Sequence, residues 1–589
     1  MKPRLLLLLL LAVAPRLRAA EAVAWRPWSD EAFRAAKSEH RFVIMDLEAV
    51  WCHWCHVMDE TTYRDPKVVA LIGARYVPVR VDQDSRPDLS DRYEDYGWPA
   101  TIVFDSDGKE IVRRRGYLEP AEMASMLQAI IDDPSPGPSV TSAARQLDAP
   151  PLRPGEARLR DRLLSGYDSA AGGWSAEHKF LDADNVEYCL RAARRGDAGA
   201  ASIARGMLRL QLQLIDPVWG GCYQYSAGGD WVHPHFEKIM SIQADMLRTY
   251  SLASAQWPGA RYDDAARDVA RFLETFLRAG DGAFLTSQDA DLVPGQHAGD
   301  YFALGDAARR ARGLPRVDTH RYARENGWAI SALCALSDAT GRREALADAL
   351  LAADWVVAHR SIPGGGFRHG EADASGPYLG DTLAMGSAFL ALYQSTGDPA
   401  WLERSEAAVD FISAHFSMRE GIGFASSDTT RAQFPGPLPQ FDEGVRLARF
   451  ANLLSRASGR KTDRAVAEAS LRWAELPREI ARRGAYVGGL LLASEELRTE
   501  PLHVTVVGAR GDPRARVLLA AALAAPTSYR LVESWDPGAA PAPRGEAIFP
   551  SLDHPAAYLC ANGACSSPIT DAESLSRRIA RAVAASGQP

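Results

Sequence analysis

The chain has 589 residues, too many for one hydrophobic core, so it divides into two or more domains. Hydrophobic residues make up 47% and charged residues 24%, an ordinary globular balance. The net charge of −8 excludes a basic footprint for nucleic acid, and arginine-rich runs such as Arg191 to Arg195 read as solvated helix faces.

In chain order, residues 1–24 read as a secretory signal peptide. Lys2 and Arg4 precede the apolar run Leu5 to Ala14, which is too short to span a bilayer, and small residues around Ala20 to Ala24 fit a cleavage site. An uncleaved N-terminal anchor is the alternative. Nothing later is long and apolar enough to cross a membrane, so the expected protein is exported, periplasmic or extracellular, with no membrane contact after cleavage.

Residues 25–133 have mixed α/β grammar. A helix over Asp30 to Ser38 leads into the strand Phe42 to Met45, and further strands are expected at Tyr76 to Val81, Thr101 to Phe104 and Glu110 to Val112. An amphipathic helix over Glu119 to Ile131 closes the unit as one sheet flanked by helices. Residues 134–150, opening Pro134-Ser135-Pro136-Gly137-Pro138, read as a linker. Residues 151–500 are long Ala/Leu/Arg helices whose connections repeat a glycine cluster with an aromatic: Gly172-Gly173-Trp174, Gly220-Gly221-Cys222-Tyr223, Gly282-Ala283-Phe284, Gly364-Gly365-Gly366-Phe367, Gly421-Ile422-Gly423-Phe424 and, more weakly, Tyr486-Val487-Gly488-Gly489. Six such units predict helical hairpins closed into a toroid, with an open solenoid as the alternative. Residues 501–589 return to α/β, with a strand at His503 to Gly508 and a helix near Arg514 to Ala524.

Seven cysteines in so long a chain make no disulfide framework. Only Cys52 with Cys55 and Cys560 with Cys565 are close in sequence; Cys189, Cys222 and Cys334 read as small buried residues. The stretch Trp51-Cys52-His53-Trp54-Cys55-His56 carries the clearest chemistry. A Cys-x-x-Cys opening a helix places Cys52 at the helix N-terminus, where unpaired amides stabilise its thiolate as the attacking sulfur. Cys55, one turn inward, can resolve a mixed disulfide. Asp46 ends the preceding strand, and Pro99 leads into a later one, where a cis proline would lie against the sulfurs. Rival readings are c-type haem attachment through Cys52-x-x-Cys55-His56, zinc held by Cys52, Cys55, His53 and His56, and an ordinary structural disulfide. The tail pair Cys560 and Cys565 reads as a static bond, with an electron relay to Cys52 and Cys55 as the sharper alternative.

The Trp before the first cysteine, Asp46 six positions upstream and Pro99 resemble the thioredoxin superfamily. That resemblance implies Cys52 as nucleophile, Cys55 as resolving thiol, Asp46 as a buried proton acceptor and Pro99 as the cis proline. The whole chain resembles the family of the spermatogenesis-associated thioredoxin-like proteins and their bacterial relatives, which joins such a domain to a six-hairpin (α/α)6 toroid. The stretches that carry it include Cys52 to His56, Gly172 to Trp174 with His178-Lys179-Phe180, Trp231 to Lys238, Gln288 to Asp291, Glu325 to Gly327 and Thr396 to Leu402. The implied fold is multidomain: an N-terminal α/β thioredoxin-like fold, an all-α (α/α)6 toroid and a small C-terminal α/β segment.

The toroid is similar to that of sugar 2-epimerases and six-hairpin glycosidases, which hold acid/base residues in a central funnel. On that resemblance His233, His235, Glu237, Asp289 and Asp291 are the funnel candidates, with Asp381 and His178 behind them. Loop-stabilising histidines and helix-capping aspartates are their plain alternatives. The leading expectation is an exported thiol–disulfide oxidoreductase with a protein thiol or disulfide client or redox partner, no metal and no cofactor. The alternatives are a carbohydrate-active toroid with a regulatory thioredoxin-like domain, which would bind a carbohydrate ligand, and a non-catalytic client-binding scaffold.

Overall fold

The computed structural model describes residues 22–93, 97–142, 155–371, 373, 375–418, 421–431, 434, 436–539, 549–550, 552–561 and 564–585. The leader expected at 1–24 lies almost wholly outside the described residues, as does the second half of the expected linker.

The N-terminal domain forms around a central strand. Elements β1 (Arg26–Pro27), β2 (Phe42–Glu48), β3 (Tyr76–Asp82), β4 (Ala100–Phe104) and β5 (Glu110–Arg115) make one sheet of order β1-β3-β2-β4-β5, with β2 parallel to β3 and antiparallel to β4. Along β2 the pleat sends Val43, Met45 and Leu47 into one apolar cluster and Ile44 into another, so both faces are buried. Helices α1 (Asp30–Glu39), α2 (His53–Glu60), α3 (Pro66–Arg75), α4 (Pro87–Tyr93) and α5 (Pro120–Asp132) complete it. The segment after α5 is not a free linker at its start: residues 138–142 are helical, and the Gly137 N–H donates to the Ile111 carbonyl at 2.7 Å.

From residue 155 the helices pair. An inner ring is formed by α7 (Ala183–Arg194), α9 (Met240–Gln256), α11 (Ala323–Thr340), α13 (Leu379–Thr396), α15 (Phe441–Ser458) and α17 (Gly488–Arg498). Each packs on the next, and α17 packs back on α7, so the ring closes and is no open solenoid. The outer partners are α8 (Ala198–Gln211), α10 (Tyr262–Phe272), α12 (Arg343–Arg360), α14 (Pro399–His415) and α16 (Lys461–Ala474). The sixth pair joins the ring's two chain ends, α6 (Glu156–Ser165) packing outside α17. Inner helices are buried almost all round, which is why α13 is nearly devoid of charge, whereas outer helices such as α10 carry a strongly polar outer face.

The glycine repeat has a steric cause. The first five clusters lie in connections from an outer helix to the next inner one and press onto the following outer helix, whereas Gly488 and Gly489 open α17 and abut Asp184 and Asn185 of α7. A Cβ at Gly220, whose φ is 75°, would sit 2.0 Å from the Asp268 carbonyl oxygen of α10; at Gly365, with φ 97°, it would sit 2.6 Å from that of Ala407 in α14.

The C-terminal domain contains β9 (Leu502–Val507), α18 (Pro513–Leu523), β10 (Arg530–Trp535), β11 (Ala556–Ala561), β12 (Ala564–Cys565) and α19 (Ala572–Ala585), with strand order β10-β9-β11-β12. It covers the C-terminal end of the inner ring: the Val532 N–H donates to Gln394 Oε1 at 3.1 Å and the Tyr393 hydroxyl to Glu533 at 2.8 Å. The thioredoxin-like domain covers the opposite end, where the glycine-bearing connections gather. Between the two lids runs an axial cavity of about 320 Å³ lined by Asp184, Asp245, Arg248, Glu443, Arg446 and Arg449 among others. One expectation is overturned at the C-terminal end: Arg191 belongs to no solvated face but is 6% exposed, donating to Glu496 at 2.5 Å and Ser528 at 3.1 Å.

Candidate functional site

Strand β2 delivers the chain into a short turn, and Cys52 caps the start of α2 with extended backbone, φ −87° and ψ 111°. Its Sγ accepts the Cys55 N–H at 3.1 Å, an amide shared with the Cys52 carbonyl at 3.1 Å, so a first-turn amide of α2 already faces the sulfur. Cys52 and Cys55 are joined as a disulfide. The Trp98–Pro99 bond is cis, and Trp98 packs on the cluster that contains Trp51, Cys52 and Cys55. Asp46 is 2% exposed in β2 and accepts from Arg80 Nη2 at 3.0 Å. Burial pushes its carboxyl up to about 6 against the pull of Arg80, and burial together with Asp46 pushes neighbouring Glu48 up to about 8.

The disulfide faces the ring rather than solvent. Cys52 and Cys55 are 4% and 3% exposed, covered by Ile239 and Ile242 at the entrance to α9. Short strands β6 (Lys238–Ile239), β7 (Ser287–Gln288) and β8 (Val317–Asp318), in the order β8-β7-β6, fix two acidic loops beside it. The His53 amide donates to Glu237 Oε1 at 3.3 Å, and its Nδ1 lies 2.7 Å from Asp291 Oδ1. His56 places Nδ1 3.1 Å from Asp291 Oδ2 and Nε2 3.2 Å from the Val50 carbonyl, with Asp289 at 3.7 Å. Both ring nitrogens of His56 therefore face oxygens, which suits the imidazolium. Against burial, Asp291 and Asp289 raise the pKa of His56. Burial would raise Asp291 too, but the hydrogen bonds of both histidines hold it down at about 2; Asp289, dominated by burial, rises to about 6.

A second contact lies across the mouth. Trp51 Nε1 donates to Asp84 at 2.7 Å, while His369 bridges the Asp84 carbonyl at 2.6 Å and Asp381 at 2.9 Å. Asp381 supports this bridge and also accepts the Arg324 N–H at 2.8 Å.

The structure thus brings Glu237, Asp289 and Asp291 together with Cys52 and Cys55, and Asp381 to the same mouth. His235 stacks on Tyr225 at 4.2 Å and lies 3.8 Å from Glu237. His233 and His178 stay outside: His233 is exposed and pairs with Asp230 at 2.9 Å, and His178 rests exposed on the Tyr225 ring. The aspartates cap no helix; they receive the histidines of the cysteine motif. Sequence reasoning named His53 and His56 only as ligands in the rival zinc reading and missed them as partners of the toroid's acids, although they stand three apart on one face of α2. His369 carried no local signal. His56, Asp289 and Asp291 offer donor atoms within 4.8 Å of one another, as do Asp46, Glu48 and Asp59; in the first group His56 is already engaged with Asp291 and the Val50 carbonyl, and in the second Arg80 pairs with the carboxylates. The haem and zinc readings find their sulfurs bonded to each other and His56 engaged through both nitrogens.

Residues 14–131 match the family described as "Protein of unknown function, DUF255", Thioredox_DsbH. Spermatogenesis-associated protein 20 of Homo sapiens is 26% identical over 309 residues, 46% of this chain and 39% of that protein. The N-terminal 14–131 segment thus matches the Thioredox_DsbH model, and the chain is similar to the spermatogenesis-associated thioredoxin-like proteins. It spans about two-fifths of the length of the family's curated members that it matches. The thiol:disulfide interchange protein DsbD of Ralstonia nicotianae is 37% identical over 106 residues, 17% of each chain. Among solved structures, a D-mannose isomerase is 14% identical with a TM-score of 0.43, covering 59% of this chain and 99% of its own.

Proposed function

We propose that the protein is an exported thiol–disulfide oxidoreductase whose toroid holds the redox pair closed until a partner displaces it. One observation carries the reading: Cys52 stands at the N-terminus of α2 with its sulfur accepting a first-turn amide, backed by buried Asp46 and the cis Pro99 segment. The name of the similar thiol:disulfide interchange proteins supports it. In the reduced form the Cys52 thiolate attacks a client disulfide; one client thiolate leaves and a mixed disulfide forms. Asp46, kept near neutrality by its burial, takes the proton from the Cys55 thiol. The Cys55 thiolate then attacks Cys52 Sγ, releasing the second client thiolate, so two electrons pass to the client and the Cys52–Cys55 bond reforms. Run backwards, the same steps oxidise a client dithiol. Trp54, 41% exposed beside the buried pair, is the surface a partner meets first. The test is turnover of a disulfide reporter by the full chain, with Cys52→Ser as control; equal rates in both reject the reading.

Export rests on the charged and apolar leader at residues 1–24 and on two disulfides that suit an oxidising compartment. Cell fractionation with N-terminal sequencing of the mature protein tests it. A second reading, a polar ligand such as a carbohydrate in the ring, rests on the charged axial cavity of about 320 Å³. Calorimetric titration with a panel of sugars tests that, and no heat from any of them removes it.

A further inference from the structure

At the end of the ring away from the redox pair, a cleft of about 570 Å³ opens between the toroid and the C-terminal domain. Its toroid side is the last turn of α7, with Arg191, Arg194 and the following Arg195; its other side carries His503 of β9 and Leu559 and Cys560 of β11. The charges here do not cancel. Arg195 is paired with Glu495, Arg498 with Glu156 at 2.5 Å, and His503 with Glu533 at 2.7 Å. Arg194 has no carboxylate within ion-pair distance among the described residues; its Nη2 donates only to the neutral amide of Gln256 at 2.8 Å, and its Nε is buried without a partner. Arg191 spends Nη2 on Glu496 and Ser528, but its buried Nη1 has no hydrogen-bond partner and stands 3.7 Å from the nearest carboxylate oxygen, on Glu495.

Buried Arg191 and half-buried Arg194 repel each other, and each keeps a buried N–H without a hydrogen-bond partner, an arrangement that an anion between them would relieve. Burial, then the neighbouring Arg191 charge, push Arg194 down to about 9, the response expected of a cation without its counterion. Planar guanidinium forks match carboxylate and phosphate geometry. The rest of the cleft adds the hydroxyls of Thr499 and Thr527 and the apolar side chains of Leu559 and Val583, which fit the body of an organic molecule rather than a bare ion. We propose that this cleft binds a small organic anion, its carboxylate or phosphate received by Arg191 and Arg194 and its apolar part lying along Leu559 and Val583. The site is independent of the redox chemistry at the other end of the ring.

The experiment is a melting series on the full oxidised chain at constant ionic strength, with chloride replaced stepwise by inorganic phosphate in one arm and by hexanoate in the other. The expected result is a saturable rise in Tm in at least one arm, the larger response naming phosphate or carboxylate as the head group. Arg194→Gln should abolish that rise, or weaken the fitted affinity at least tenfold, while melting no lower than wild type in chloride, because it removes a half-buried charge that has no carboxylate partner among the described residues. Arg498→Gln, at a cleft arginine already paired, should keep the response. If Arg194→Gln does not fold, Arg194→Lys replaces it and should also bind at least tenfold more weakly, since an ammonium lacks the fork. No saturable shift in either arm, or an equal shift in the Arg194 variant, overturns the proposal.

Discussion

The two ends of the toroid carry lids of one kind, a small α/β sheet bearing a disulfide, yet the disulfides differ in what surrounds them. Cys52 and Cys55 span the first turn of a helix, against a first-turn amide, a buried carboxyl and a cis-proline segment, and are covered by the ring. Cys560 and Cys565 sit opposite each other on β11 and β12, half-buried, at the far side of the ring. The inner helices separate the two pairs; α9 alone, with 17 residues, is about 25 Å long. An electron relay by direct sulfur attack would have to bridge that length, which favours a static bond at the tail. Reactivity here is decided by the groups around a disulfide, not by the short spacing of its cysteines.

The strongest way to break this comparison is Cys52→Ser, expected to abolish reporter turnover, while Cys55→Ser should accumulate the mixed disulfide with the reporter, visible on a non-reducing gel. Turnover that survives in Cys52→Ser would place the activity elsewhere.

Next in size is the clamp. Asp291 receives both motif histidines while almost fully buried, and charge-assisted hydrogen bonds of this kind contribute roughly 1.5–3 kcal/mol each. Asp291→Asn should expose the redox pair more often and speed its reduction by a phosphine about tenfold or more, which corresponds to about 1.4 kcal/mol of lost docking. An unchanged rate would mean that the ring does not guard the disulfide.

The same ratio of mutant to wild-type rates should depend on pH, and the phosphine's own ionisation cancels from it. The pKa of His56 is raised by docking, so its contribution is full below the free-ring value of 6.5 and fades as pH climbs through the docked value. Asp291, held at about 2, loses its contribution only as pH falls toward that value. Asp289, raised to about 6, opposes docking once ionised. Between pH 6 and 8.5 the wild-type clamp therefore loosens and the ratio should fall toward one; a flat or rising ratio counts against imidazolium docking.

Much of this was legible locally. The β-branched runs of β2, β3 and β4 and the helix opening at Cys52 follow from neighbours in sequence. Helices α3 and α4 were missed, although Asp65-Pro66 is a capping signal with proline in the first turn. Ring closure was read from the count of six repeats, although the pair that closes it joins α6 to α17 across more than 300 residues. The mouth was read in part: carboxylates were placed there, but their partners lie 184 to 238 residues away, beyond any periodicity. A family resemblance that pointed those acids at a sugar could not show that His53 and His56 reach them first.

A smaller effect is expected at Asp46. Replacing it with Asn removes the proton acceptor but leaves a side chain that can still face Arg80. Turnover should fall several-fold, with the loss concentrated above pH 6, where the Asp46 carboxylate would otherwise be ionised. Equal pH profiles in mutant and wild type would remove Asp46 from the proton path.

The smallest effect, and the sharpest check on the comparison, belongs to the tail. Replacing both Cys560 and Cys565 with Ser opens a loop of only a few residues, for which the chain-entropy model gives about 2 kcal/mol. The sheet core of β9, β10 and β11 does not depend on that bond: Val504, Val506 and Val532 are buried between α18 and α19 on one side and the strands on the other. Amide exchange should therefore quicken in β11 and β12, by roughly thirtyfold at most, with little change elsewhere. Because the tail bond neither touches the Cys52 site nor supports the ring mouth, reporter turnover should stay within about twofold of wild type. A turnover change much larger than the local loosening would mean that the two lids communicate, and the contrast between a reactive and a static disulfide would fail.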